Sequence, residues 1–179
     1  MEILKIKNPD GICDYKAIIS LRDAIGYANQ SQKLIIIQKE YSKFLENCKE
    51  MIEKIENDHK SRSNPHLQWM LSDRIYSFMK WVENCGFIFT NIFETLSKEV
   101  GISKTQLRYL IRFRESYPSI DQVSREINWS KYRELLDISD KNKRLLCENL
   151  IKIGKIKSDK EIRKFKRFTS TIKNTINQS

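Results

Sequence analysis

Leu34, Ile37, Tyr41, Phe44, Cys48, Met51 and Ile55 follow one another at spacings of 3, 4, 3, 4, 3 and 4, an unbroken apolar heptad seam. Such spacing keeps side chains on one face of a helix, whereas a strand would scatter them over both of its faces. Lys39, Glu40, Lys43, Glu46, Lys49, Glu50, Glu53 and Lys54 fall between them as a charged solvent face. The pattern predicts a helix over 31–58, about 42 Å long at 1.5 Å per residue. Asn57 to Pro65 contains no apolar residue and ends in proline, which stops it. A second apolar stripe, Leu67, Leu71, Ile75, Phe78 and Val82, predicts a helix over 65–83 that folds back on the first as an antiparallel hairpin. Three heptads are about the minimum for a coiled coil, so the seam has two readings that can coexist: the core of the hairpin, and the interface of a homodimer.

Five glycines and three prolines are too few turn formers for a many-stranded sheet, and 40% hydrophobic residues are too many for disorder. The expected fold class is all-α, a helical hairpin followed by tandem helix-turn-helix-like units. The domains expected are 1–83, 84–168 and a polar tail, 169–179. Residues 1–10 read as extended up to the turn signal Asn8-Pro9-Asp10-Gly11. A short helix is predicted over 14–27. Phe87 to Phe93 can be read locally as a strand, but the spacing of Ile92, Phe93, Leu96 and Val100 favours the start of a helix reaching Val100.

The opening Met1-Glu2-Ile3-Leu4-Lys5 lacks the apolar core of a signal peptide, and no apolar run of about 18 residues could span a bilayer. Cys13, Cys48, Cys85 and Cys147 are scattered, which fits reduced thiols in a cytoplasmic protein. His59 and His66 are the only histidines, and neither has a cysteine at ligand spacing, so no metal is expected.

The charge is polarised. Residues 1–100 hold 14 basic and 14 acidic side chains, whereas residues 101–179 hold 19 and 9 and therefore the whole net charge of +10. That basic half begins beside Leu96-Ser97-Lys98-Glu99-Val100-Gly101-Ile102-Ser103-Lys104-Thr105-Gln106-Leu107-Arg108-Tyr109-Leu110, which has the pattern of a helix-turn-helix. Leu96 and Val100 are apolar on the first helix, and Ser97 is small where two helices would cross. Gly101 suits the positive φ of the turn, Ile102 plugs it, and Ser103 can cap the second helix. Leu107 and Leu110 anchor the second helix, which leaves Lys104, Thr105, Gln106, Arg108, Tyr109 and Arg112 outward or along the rim. Arginine and glutamine suit guanine and adenine edges, while Ser103 and Lys104 are placed for phosphate.

A similar unit is read from Val123 to Leu136, with Asn128 at the turn and Trp129 as the plug, offering Ser130, Lys131 and Arg133. A third helix pair, about 141–152 and 158–168, ends in Lys160, Arg163, Lys164, Lys166 and Arg167. Of these, Lys164 and Arg167 are candidate phosphate contacts.

Leu96 through Arg163 resembles the N-terminal helical domain of the YhcG-type proteins, a family that otherwise carries a predicted nuclease at its C-terminus. The resemblance rests on Leu96-Ser97-Lys98-Glu99-Val100, Gly101-Ile102-Ser103 with Leu107, Arg112-Phe113, Tyr117-Pro118, Trp129 through Asp140, and Arg144. The family usually has histidine where Lys131 stands, and an aromatic-serine pair where Lys157-Ser158 stands. The same region is similar, more loosely, to the central DNA-binding domain of ParB-type partition proteins, through Gly101-Ile102-Ser103 and Arg133. Ser130 and Lys131 replace that family's first arginine and histidine. Its nucleotide-binding motifs are absent, so CTP-driven clamp loading is not implied.

No catalytic constellation accompanies these features. Asp10 with Asp14-Tyr15-Lys16 places two acids too close together for a magnesium nuclease, and no phosphate-binding glycine loop or zinc-protease motif occurs. The chain is expected to be a non-enzyme without cofactor. Its expected partner is double-stranded DNA, bound as a homodimer, in a transcriptional, partition or replication-accessory role. A partner ATPase is left open. The alternative is a module whose basic half meets RNA or an acidic protein.

Overall fold

The computed structural model describes residues 2–7, 13–20, 32–57, 59–85, 87–90 and 92–176. The helical architecture expected from the sequence is present. Helix α1 spans Gln32–Glu56, the short α2 His59–Ser63, and α3 Pro65–Asn84. Then come α4 Ile92–Val100, α5 Lys104–Ser116, a 3-10 turn Ile120–Gln122, α6 Trp129–Leu136, α7 Lys141–Lys152 and α8 Asp159–Ile176. Among the described residues no helix is long and apolar enough to cross a membrane.

A small sheet joins these helices. Strand β1 (Glu2–Lys7) pairs antiparallel with β2 (Cys13–Ser20), from Glu2↔Ile18 to Lys7↔Cys13. β2 pairs in parallel with β3 (Phe87–Thr90), from Ala17↔Phe87 to Ser20↔Thr90. Two local expectations are corrected by it. Cys13–Ser20 lies in a strand rather than in a helix over 14–27, whose remainder lies outside the described residues. Phe87–Thr90 is a strand too, and α4 begins only at Ile92. Phe87-Ile88-Phe89-Thr90 is rich in aromatic and β-branched side chains, which favour a pleated ribbon once a neighbouring strand is present.

The chain packs as two units. The first comprises 1–54 and 71–111, the second 55–70 and 112–179. The division expected between 83 and 84 therefore falls inside the first unit.

In the first unit, Ile37, Tyr41, Phe44, Cys48 and Ile52 of α1 are buried with Leu71, Ile75, Phe78 and Val82 of α3. The Phe44 and Phe78 rings stack at 4.3 Å between centroids, and Tyr41 lies 5.7 Å from Phe78. Ile37, Tyr41, Phe44 and Cys48 of the seam are thus held in the core of the hairpin, as its intrachain reading expects. The buried line also departs from the heptad, running Ile37, Tyr41, Phe44, Cys48, Ile52, Ile55 while Met51 is half-buried. Those five steps cover 18 residues, the 3.6-residue period of a straight helix rather than the 3.5 of a supercoil. The Leu34 side chain, the first of the seam, lies outside the described residues. Burial pushes the Cys48 thiol up to about 12, so it behaves as a small apolar group.

The second unit is built around α6, which packs against α2, α7 and α8. Phe113, Tyr117, Trp129 and Tyr132 form an aromatic cluster with centroids 5.0–5.2 Å apart. Glu148 is buried beside it, and its carboxylate accepts the hydroxyl hydrogen of Tyr117. Removal from water raises the Glu148 carboxyl above its ordinary range.

Candidate nucleic-acid interface

The α4–α5 corner has the parts that a helix-turn-helix requires, all within the first unit. Ile92, Leu96 and Val100 line the buried face of α4. The Gly101 N–H donates to the Ser97 carbonyl at 3.1 Å, and Gly101 adopts φ +78°, which an L side chain reaches only with strain. Ile102 is buried immediately after it, and Leu107 and Leu110 fix the inner face of α5.

The start of α5 is closed by a reciprocal cap. Ser103 Oγ accepts from the Gln106 N–H at 3.1 Å, and Gln106 Oε1 accepts from the Ser103 N–H at 3.0 Å. This is a Ser-x-x-Gln capping box, in which each side chain satisfies a backbone donor that the helix cannot. Gln106 is therefore a capping residue first. The two-point contact that glutamine makes with adenine uses the same oxygen, through its second lone pair.

Lys104, Thr105 and Arg108 are exposed on the same N-terminal turns, and Tyr109 is half-buried. Arg108 makes no ion pair among the described residues. The Lys104 ammonium lies 3.4 Å from Glu94 on α4, whose other oxygen meets Lys98 at 3.3 Å. The hydrogen bond from Lys98, followed by the charge of Lys104, holds the Glu94 carboxyl below the usual carboxylate range. All three side chains face solvent, so the pairs contribute little to stability and exchange readily for another anion.

No family model, curated protein or solved structure matches this chain. What the site can do is read from its own chemistry.

The remaining candidates lie in the second unit. Arg112 is exposed on α5 and is also tied within the chain. Its guanidinium donates to the Leu136 carbonyl and to Asp137 Oδ1, the latter at 3.3 Å, and so ties off the C-terminal end of α6. Carbonyls left open by a helix end attract such a cation. Val123–Leu136 is not a second helix-turn-helix. Only the 3-10 turn precedes, and 123–128 form turns and bends. Asn128, at φ −72°, is the N-cap of α6 rather than a turn residue, its side chain accepting from the Lys131 N–H at 3.1 Å. Ile127 is fully buried, whereas Trp129 is half-buried against Phe113. Ser130 donates to Asn128 Oδ1 at 3.0 Å; Lys131 is half-buried and Arg133 is exposed.

On α8, Lys164 and Arg167 are exposed beside Phe165 and Phe168, which line a shallow open groove with them. Arg163 and Lys166 pair instead with Glu134 and Asp137 of α6. The structure thus brings Ser103, Lys104, Thr105, Gln106 and Arg108 together on one helix start. Arg112 lies two turns further along α5, and Gln106 and Arg112 each also hold a bond within the chain. Among the described residues no cluster of histidine, cysteine or acidic side chains could hold a metal ion.

Proposed function

We propose that the α4–α5 corner binds double-stranded DNA, with the N-terminal turns of α5 entering the major groove. The observation that carries this reading is the capped, exposed start of α5. Its inner side chains are fully committed to the core, and Lys104, Thr105 and Arg108 point away from it. In such a motif the second helix reads base edges with its first residues, and arginine makes the commonest specific contact, a two-point bond to guanine. Lys104 would leave Glu94 for a backbone phosphate. The location of all the net positive charge in residues 101–179 supports a polyanionic partner. The sequence resemblance to the N-terminal helical domain of YhcG-type proteins and, more loosely, to the DNA-binding domain of ParB-type proteins supports the same reading. A role in transcription, partition or replication of a mobile element follows from the same reading.

Selection from a pool of random duplexes tests it. The wild-type chain should enrich a defined sequence, and Arg108→Ala should relax preference at one or two positions at a cost of about 1–3 kcal/mol. Arg112→Ala should leave the preference unchanged. A chain that enriches no duplex while retaining RNA or an acidic protein would instead establish the interaction-module reading.

A further inference from the structure

The second unit contains another corner made of the same devices as the first. α7 ends at Lys152, and Gly154 adopts φ +74°, its N–H donating to the Ile151 carbonyl at 3.0 Å. Ile156 is buried as the plug. Ser158 and Glu161 then form the reciprocal cap of α8. Ser158 Oγ accepts from the Glu161 N–H at 3.3 Å, and Glu161 Oε2 accepts from the Ser158 N–H at 3.1 Å. The two turns differ by two residues. Gly101-Ile102-Ser103 becomes Gly154-Lys155-Ile156-Lys157-Ser158, and both additions are lysines flanking the plug.

Those lysines join an outward set. Lys155, Lys157, Lys160 and Lys164 are all exposed, and none is in a salt bridge among the described residues. The α8 cations that do have acidic partners, Arg163 and Lys166, reach Glu134 and Asp137. The acids beside the set are Asp159 and Glu161 in the first turn of α8; the Glu161 carboxylate also accepts from the Lys157 N–H at 2.6 Å and is held low by that bond and the one from Ser158. Four positive charges thus stand against two negative ones, of which Glu161 is already bonded to backbone. An ammonium is a compact point charge without the planar fork of arginine, so these four lysines suit phosphate better than base edges.

We infer that the α7–α8 corner is a second contact for duplex DNA, one that grips the phosphate backbone without reading bases. It rests on the proposal that this chain binds DNA, and adds a division of labour: Arg108 on α5 discriminates, and the lysines of the second corner hold.

The test uses the full chain with Lys155, Lys157, Lys160 and Lys164 all changed to alanine, circular dichroism confirming the fold. Binding to the selected duplex and to one of unrelated sequence is followed by fluorescence anisotropy between about 50 and 200 mM salt. Each phosphate contact contributes about 0.9 to the slope of log affinity against log salt, so the quadruple variant should flatten it by about 3.6. Both duplexes should weaken by the same factor, and the four-fold lysine-to-arginine variant should restore the slope. An unchanged slope, or a loss confined to the selected sequence, would overturn the inference while leaving DNA binding intact. A wild-type chain that binds neither duplex would remove both.

Discussion

Phe44→Ala tests the placement of the heptad seam inside a single chain. Phe44 is 5% exposed, and its ring lies nearly parallel to that of Phe78, at 14°, with Tyr41 at 6.1 Å. Deleting a phenyl ring from a packed site costs about 3–5 kcal/mol, because the lost burial is compounded by the cavity left behind. Of that, the stacked pair accounts for about 0.5–1.5 kcal/mol, which a double-mutant cycle with Phe44→Leu and Phe78→Leu isolates. Against a typical domain stability of about 5–15 kcal/mol, the variant should stay folded at low denaturant but lose much of its margin. Trp81 lies 5.8 Å from Phe78 and reports on this unit, so urea unfolding followed by tryptophan fluorescence is the assay. The midpoint should fall on substitution and be the same when protein concentration is raised tenfold, since an intrachain core owes nothing to mass action. A wild-type midpoint that climbs with concentration, together with a Phe44→Ala loss below about 1 kcal/mol, would refute the intrachain reading and favour the homodimer interface.

Two further outcomes are expected. Gln106→Ala should cost about 1 kcal/mol by opening the capping box, whereas Gln106→Glu keeps an acceptor for the Ser103 N–H and should match or exceed wild-type stability in thermal melts; equal losses would contradict the capping role. For Glu148 the folded pKa lies above the unfolded one, so its penalty is absent in acid and grows as pH rises from the ordinary carboxyl range toward the folded value. Glu148→Gln retains an acceptor for Tyr117 and should abolish that decline, as measured by urea midpoints across the pH range; an unaltered decline would assign it to other groups.

The hairpin was legible in the sequence because its signal is local and repeated: apolar residues every three or four positions, then a proline. Helices predicted over 31–58 and 65–83 are found at Gln32–Glu56 and Pro65–Asn84. β2 was not legible, since its partner Phe87–Thr90 is far away in sequence and only tertiary pairing reveals it. At the α4–α5 corner the glycine turn, the Ile102 plug and the Ser103 cap were legible, whereas the intrachain bonds of Gln106 and Arg112 were not. Gln106 suits both an adenine edge and a cap, and its position three residues after Ser103 was the clue to the second. Val123–Leu136 matched by composition alone, and lacked a helix before the turn. The corner that does repeat the first was obscured by its two extra lysines, although Gly154, Ile156 and the Ser158–Glu161 spacing were all visible.

The reciprocal cap has a consequence for kinetics. Because Ser103 and Gln106 already satisfy the backbone donors at the start of α5, an incoming partner meets a shape settled before contact. Ordering entropy is not lost at the moment of encounter, so discrimination between good and poor partners should show mainly in how long each stays rather than in how fast it arrives.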